Sequence, residues 1–157
     1  MESCAEKGVT EDGQTGWPLS KIFDEKFFAG SEKIRVIEPY LVKHYQLRNL
    51  KELLLQVVET SKPKSVEIFT SYPPPDRLED NKQFFDELSK EVFVQHGITL
   101  DVSFHDKLHD RFIFSDSGYV AKLGRGLDIY KPSTGLASHR QEIRKVRACD
   151  ITILSNK

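Results

Sequence analysis

Apolar residues recur along this chain with two periods, and the switches between them mark out its elements. At residues 44–60, Leu47, Leu50, Leu54, Val57 and Val58 fall at helical spacing, and Lys62-Pro63 closes the run. The same period returns at 78–94, with Phe84, Phe85, Leu88, Val92 and Phe93 as the expected buried stripe. Gly97, after His96, supplies the C-cap signal. A short helix is expected from Leu19, capped by Ser20, with Ile22, Phe23 and Phe27 on one side. Residues 33–38 alternate apolar and polar side chains as a half-buried strand does, until Pro39 ends them. Further strands are expected at 65–70, 98–104, 110–114, 119–123 and 150–153. Ser115-Asp116-Ser117-Gly118 reads as a hairpin turn, and the three prolines within 71–76 as a stiff loop.

The order β-α-β-α-β-β-β predicts one α/β domain with a mixed β-sheet flanked by helices. No internal repeat is visible. Residues 1–18, poor in apolar side chains, are expected to form a disordered leader, and 19–157 the domain. Composition narrows the class. The chain has 157 residues, enough for one core, and no apolar run reaches the length that spans a bilayer. Residues 1–17 lack the apolar segment of a secretory signal, and the two cysteines, Cys4 and Cys149, lie at opposite ends. A cytoplasmic, reducing location is therefore expected. Net charge is −1, with the acidic excess in the first eighteen residues and a short basic cluster at Arg140, Arg144, Lys145 and Arg147. Such clusters are most often solvated surface.

Chemistry concentrates at 109–128. His109-Asp110-Arg111 followed by Asp116 has the spacing His-x-Arg-x4-Asp, and Gly124-Arg125-Gly126-Leu127-Asp128 follows. This is the spacing of the phospholipase D signature, with Arg111 in place of Lys and Arg125 and Asp128 in place of Ser and Asn. In that chemistry one histidine attacks phosphorus and a second, from another copy of the motif, protonates the leaving oxygen. The cation neutralises a phosphate oxygen, and the aspartate is expected to orient its histidine. His109 and Arg111, two apart on a strand, would share a face; where Phe112 and Phe114 point is left open by the pattern. His105-Asp106-Lys107 is a decoy, because Phe112 stands where the aspartate should be. The glycine turn can present backbone N–H groups to an anion.

Together with Glu38-Pro39-Tyr40, Gln46-Leu47 and Asn49, the motifs at His109, Gly124, Gly126 and Asp128 resemble the phospholipase D-like, MIT C-terminal domain family. The resemblance runs from about Leu19 to Leu154. It implies a phospholipase D-like fold and a non-catalytic module that associates with membranes and dimerises. In that family the module is paired with an N-terminal MIT domain that binds ESCRT-III tails. No helical MIT domain is expected ahead of Leu19, so ESCRT-III is expected as a partner only where an MIT domain is present in a longer polypeptide. Asp116 is a second departure, restoring an acidic element that the family typically lacks.

Two readings compete. In the first, a phospholipase D-like module binds anionic phospholipid or another phosphate-bearing ligand as a homodimer, peripheral to membranes, through Arg111, Lys122, Arg125, Arg140, Arg144, Lys145 and Arg147. In the second, a dimeric phosphodiesterase, a phospholipase or nuclease, uses His109, Arg111 and Asp116 from each subunit. Arg111 and Asp128 weigh against the second, since a carboxylate near an anionic substrate repels it. No metal or cofactor is expected in either, and nucleic acid is the less favoured ligand. A scaffold using Tyr72-Pro73-Pro74-Pro75 as a polyproline ligand is the third class considered.

Overall fold

The computed structural model describes residues 4–132, 136 and 140–155. Seven strands form one mixed sheet in the order β1-β7-β6-β5-β2-β3-β4. The strands are β1 (Cys4–Thr10), β2 (Lys33–Ile37), β3 (Ser65–Ser71), β4 (Thr99–His105), β5 (Phe112–Ser115), β6 (Tyr119–Leu123) and β7 (Cys149–Ser155). The α-helices are α1 (Leu19–Ile22), α2 (Glu25–Phe28), α3 (His44–Thr60) and α4 (Leu78–His96), with single 3-10 turns at Pro75–Arg77, Gly126–Ile129 and Gln141–Ile143. β2, β3 and β4 are parallel because α3 and α4 carry the chain back between them. The remaining pairings are antiparallel, and of these only β5–β6 is a tight hairpin.

The period-2 pattern sets which face is buried. Ile34 and Val36, Val66 and Ile68, Leu100, Ile113, Ala121 and Ile151 point toward the helices and are almost fully buried. They pack against Leu50, Leu53, Leu54 and Val57 of α3 and Phe85, Leu88 and Val92 of α4. Phe23, Phe27 and Phe28 form an edge-to-face aromatic cluster beside them. Lys33, Arg35, Asp101 and Lys122 alternate with these residues and stand exposed on the opposite face. Phe112 and Phe114 share that outer face, in ring contact with each other, so they point away from the side taken by Arg111 and Ile113.

Three expectations are corrected. Residues 4–10, within the expected leader, form β1, held by a full antiparallel ladder to β7. Main-chain hydrogen bonding orders that segment in spite of its polar side chains. The N-cap of α1 is Pro18, not Ser20; the Leu19 N–H donates to Gln141 Oε1 at 2.6 Å instead. Phe93 is 59 % exposed, because it lies on the flank of α4 away from Leu88 and Val92. In the proline loop Pro73 is buried and Tyr72 stacks on Phe104 at 5.5 Å, so part of that loop is packed onto the sheet. Gly97 caps α4 with φ +69°, as its position implies.

Candidate functional site

The Glu38–Arg111 clasp. Glu38 follows the end of β2 and Arg111 precedes β5, the antiparallel neighbour of β2. Their side chains meet at 3.6 Å between Glu38 Oε2 and Arg111 Nε. Glu38 is 1 % exposed. Its Oε1 accepts the Leu127 N–H at 2.7 Å and its Oε2 the Tyr40 N–H at 3.2 Å. Arg111 donates from Nη1 to the Gly124 carbonyl at 3.2 Å, and its guanidinium lies 4.6 Å from the centre of the Tyr40 ring. One arginine and one carboxylate thus tie the end of β2 to the Gly124–Asp128 turn.

The turn is shaped by this contact. Gly126 has φ +56°, a left-handed conformation, and a Cβ there would overlap Glu38 Oε1 and lie 2.8 Å from Arg111 Cδ. The space left around the clasp is about 10 Å³, scarcely room for one water, so a phosphate group does not fit between these side chains. Burial pushes the Glu38 carboxyl up to about 7, against the lowering effects of the Tyr40 N–H, the Arg111 charge and the Leu127 N–H.

The family-motif residues around it are also structural. Asn49 donates from Nδ2 to the Leu127 carbonyl at 2.8 Å. Gln46 Oε1 accepts the Val42 and Lys43 N–H groups, satisfying orphan donors at the start of α3. Pro39 is buried, and its carbonyl accepts from Thr70 Oγ1 and the Ser71 N–H. Asp128 pairs through Oδ1 with Arg147 Nη1 at 3.4 Å, while its own carbonyl takes the same guanidinium at 2.7 Å.

The signature residues do not converge. His109 is exposed on the connection before β5, and among the described residues no hydrogen bond or ion pair holds its ring. Asp116 sits at the other end of β5, with the whole strand between it and His109. There its carboxylate accepts the Glu32 N–H at 2.9 Å and the Lys33 N–H at 3.1 Å, stapling the β5–β6 turn to the start of β2. The role expected for it, orienting His109, is not available from that position. The decoy dissolves too: His105 ends β4, its Nε2 hydrogen-bonded with Ser103 Oγ, and Lys107 follows in a left-handed turn rather than on a strand.

The expected cationic set also divides. Arg144 is 2 % exposed and ion-paired with Glu52 at 2.7 Å, so it serves the interior and is not part of a surface patch. Arg140 is exposed and 3.8 Å from Glu142. Lys122 lies on the outer sheet face, its ammonium 5.9 Å from the Phe112 ring centre. Lys145 is exposed. Arg125 and Arg147 come together, lining an open cleft of about 590 Å³ with Lys131 and Asp12. The Arg125 side chain is exposed, and its backbone N–H is held by the buried Cys149 Sγ at 3.3 Å. Lys131 Nζ reaches Asp12 at 2.9 Å. Lys131 stands alone in the sequence, outside any motif or basic run, and the Tyr130–Val146 bridge sets it alongside Arg147. Among the described residues no cluster of histidine, cysteine and carboxylate groups could hold a metal ion.

The fold and these motif positions define a phospholipase D-like domain, and the chain belongs to the family described as the phospholipase D-like domain at the C-terminus of MIT, matched over residues 16–155. A curated relative is MIT domain-containing protein 1 of Mus musculus, 25% identical over 152 residues, covering 94% of this chain and 60% of the relative. The chain therefore spans somewhat less than two thirds of that relative's length. Among solved structures, phosphatidylserine synthase of Haemophilus influenzae Rd KW20 superposes with a TM-score of 0.57 at 14% identity, over 98% of this chain and 35% of that one. Polyphosphate kinase of Porphyromonas gingivalis gives 0.51 at 9%, over 98% and 23%. NucT of Helicobacter pylori gives 0.50 at 10%, over 99% and 87%. These likenesses establish the shared fold.

Proposed function

We propose that this domain is a non-catalytic phospholipase D-like module that recognises the phosphate of an anionic phospholipid on a membrane surface. The observation that carries the reading is the clasp: Arg111, the phosphate-neutralising position of the signature, is already engaged by Glu38, the Gly124 carbonyl and the Tyr40 ring. Cationic recognition then falls to the cleft of Arg125, Lys131 and Arg147, beside the same glycine turn. Arg125 is the most accessible of the three, because Arg147 is committed to Asp128 and the Tyr130 carbonyl, and Lys131 to Asp12. Each basic group near an anionic surface contributes about 1 kcal/mol, so such a cleft gives reversible, salt-sensitive attachment. No helix among the described residues is long and apolar enough to cross a membrane, and attachment at the periphery is the form this reading takes. A homodimer would present two clefts and raise the avidity. Co-sedimentation with phosphatidylserine-containing vesicles tests the reading. Pelleting at low salt that disappears at high salt, and is absent with phosphatidylcholine alone, is expected; no pelleting at low salt contradicts it.

A further inference from the structure

Two cavities, of about 570 and 230 Å³, lie end to end between α3 and α4 and share Lys51 in their walls. The first is lined by the N-terminal halves of both helices and the second by their C-terminal halves, so they follow one seam between two parallel helices, parted where the exposed Lys51 reaches over the Phe84 ring at 5.1 Å. Its length follows from α3, which at 17 residues is roughly 25 Å long. The floor is apolar, with Leu54, Leu88 and Val92 buried, and Leu55 stands 56 % exposed at the rim.

The walls differ in sign. The α3 side carries His44, Arg48 and Lys51, and the α4 side carries Asp80, Glu87 and Glu91, with Arg77 just ahead of α4 at one mouth and His96 at the other. Among the described residues no ion pair crosses from one wall to the other. Arg48 is only loosely matched on its own helix: its Nε is 3.7 Å from Glu52, whose carboxylate Arg144 also holds, and its Nε and Nη2 make no hydrogen bond.

We propose that the α3–α4 groove docks an amphipathic helix of a partner protein whose apolar stripe is edged by acidic residues on one side and basic residues on the other. A helix seats in the furrow between two parallel helices at the usual interaxial spacing, and its flanks then answer both walls. Charge complementarity selects this occupant. An anionic lipid surface and nucleic acid both carry net negative charge, which the α4 wall repels. The proposal does not rest on the phosphate reading, because the groove shares no residue with the Arg125 cleft.

The test uses three fluorescein-labelled synthetic helices of about 18 residues, each with the same leucine stripe. One has a glutamate flank and a lysine flank, one has two glutamate flanks, and one has two lysine flanks. In fluorescence anisotropy with the 157-residue chain, the mixed helix binds at least ~10-fold more tightly than either of the others. Leu55→Asp and Lys51→Glu each weaken it by about 10-fold. Both positions are exposed, and circular dichroism verifies that the variants are folded. Equal affinity for the three helices, or no binding of any, overturns the proposal. So does a dimer of the wild-type chain in sedimentation that Leu55→Asp dissociates, since the groove would then belong to a second copy. Loss of vesicle pelleting in Arg125→Glu with helix binding retained separates this site from the phosphate cleft.

Discussion

Glu38 Oε2 and Arg111 Nε lie 3.6 Å apart in a nearly dry seam, and this pairing decides how the phospholipase D-like signature is used here. The positive group that the signature would offer to a phosphate is instead spent on an internal carboxylate. That carboxylate in turn fixes the backbone of Leu127 and Tyr40.

Because the folded protein favours protonated Glu38, with its carboxyl raised from 4.5 to about 7, the sign of its pH effect is set. Its stabilising contribution is complete below pH 4.5, is lost as pH rises toward 7, and is constant above that. The slope in that window reaches at most about 1.4 kcal/mol per pH unit. Urea unfolding of wild type and Glu38→Gln across pH 4–8 isolates the effect, since other titrating groups are common to both. The difference between the two proteins is expected to change through this window and level off above it; a flat difference would remove burial as the cause.

Gly126→Ala places a methyl group against Glu38 and Arg111 at a left-handed backbone position. The expected cost is about 2–5 kcal/mol from strain and overpacking together. Thermal unfolding measures it directly. A variant as stable as wild type would mean that the turn tolerates another shape.

Arg144→Ala empties a buried guanidinium site and leaves Glu52 with only the looser Arg48 contact and the Gln141 amide. A loss of about 2–3 kcal/mol is expected. Arg140→Ala, at an exposed site, is expected to be within ~0.5 kcal/mol of wild type. Chemical denaturation of the pair separates a structural arginine from a surface one, and equal stabilities would return Arg144 to the surface set.

Much of the fold was readable because hydrophobic period and turn residues are local. The helix over 44–60, the Gly97 cap and the strand at 119–123 match their expected bounds or differ little from them. β1 was not readable, since Lys7 and Glu6 give no apolar stripe and its order comes from the distant β7 ladder. At the site the sequence brought Arg125, Arg147 and the glycine turn to attention. It could not show that Asp116 faces Glu32 and Lys33 across 83 residues of chain or more, nor that Arg144 turns inward to Glu52. Those partners are chosen by tertiary pairing, which spacing within a motif does not encode.

Asp116→Ala deletes an acceptor for two backbone N–H groups at a surface turn, and a loss of about 1–2 kcal/mol is expected. Hydrolysis of a chromogenic phosphodiester should be absent from wild type and variant alike. Turnover by wild type that vanishes in both Asp116→Ala and His109→Ala would revive the enzymatic reading.

Vesicle co-sedimentation of Arg125→Glu/Lys131→Glu tests the central claim most directly, because both side chains line the cleft and neither belongs to the clasp. The account predicts that the folded double variant pellets with phosphatidylserine vesicles no more than with phosphatidylcholine, a fall of at least ~10-fold from wild type at low salt. Pelleting equal to wild type would contradict it.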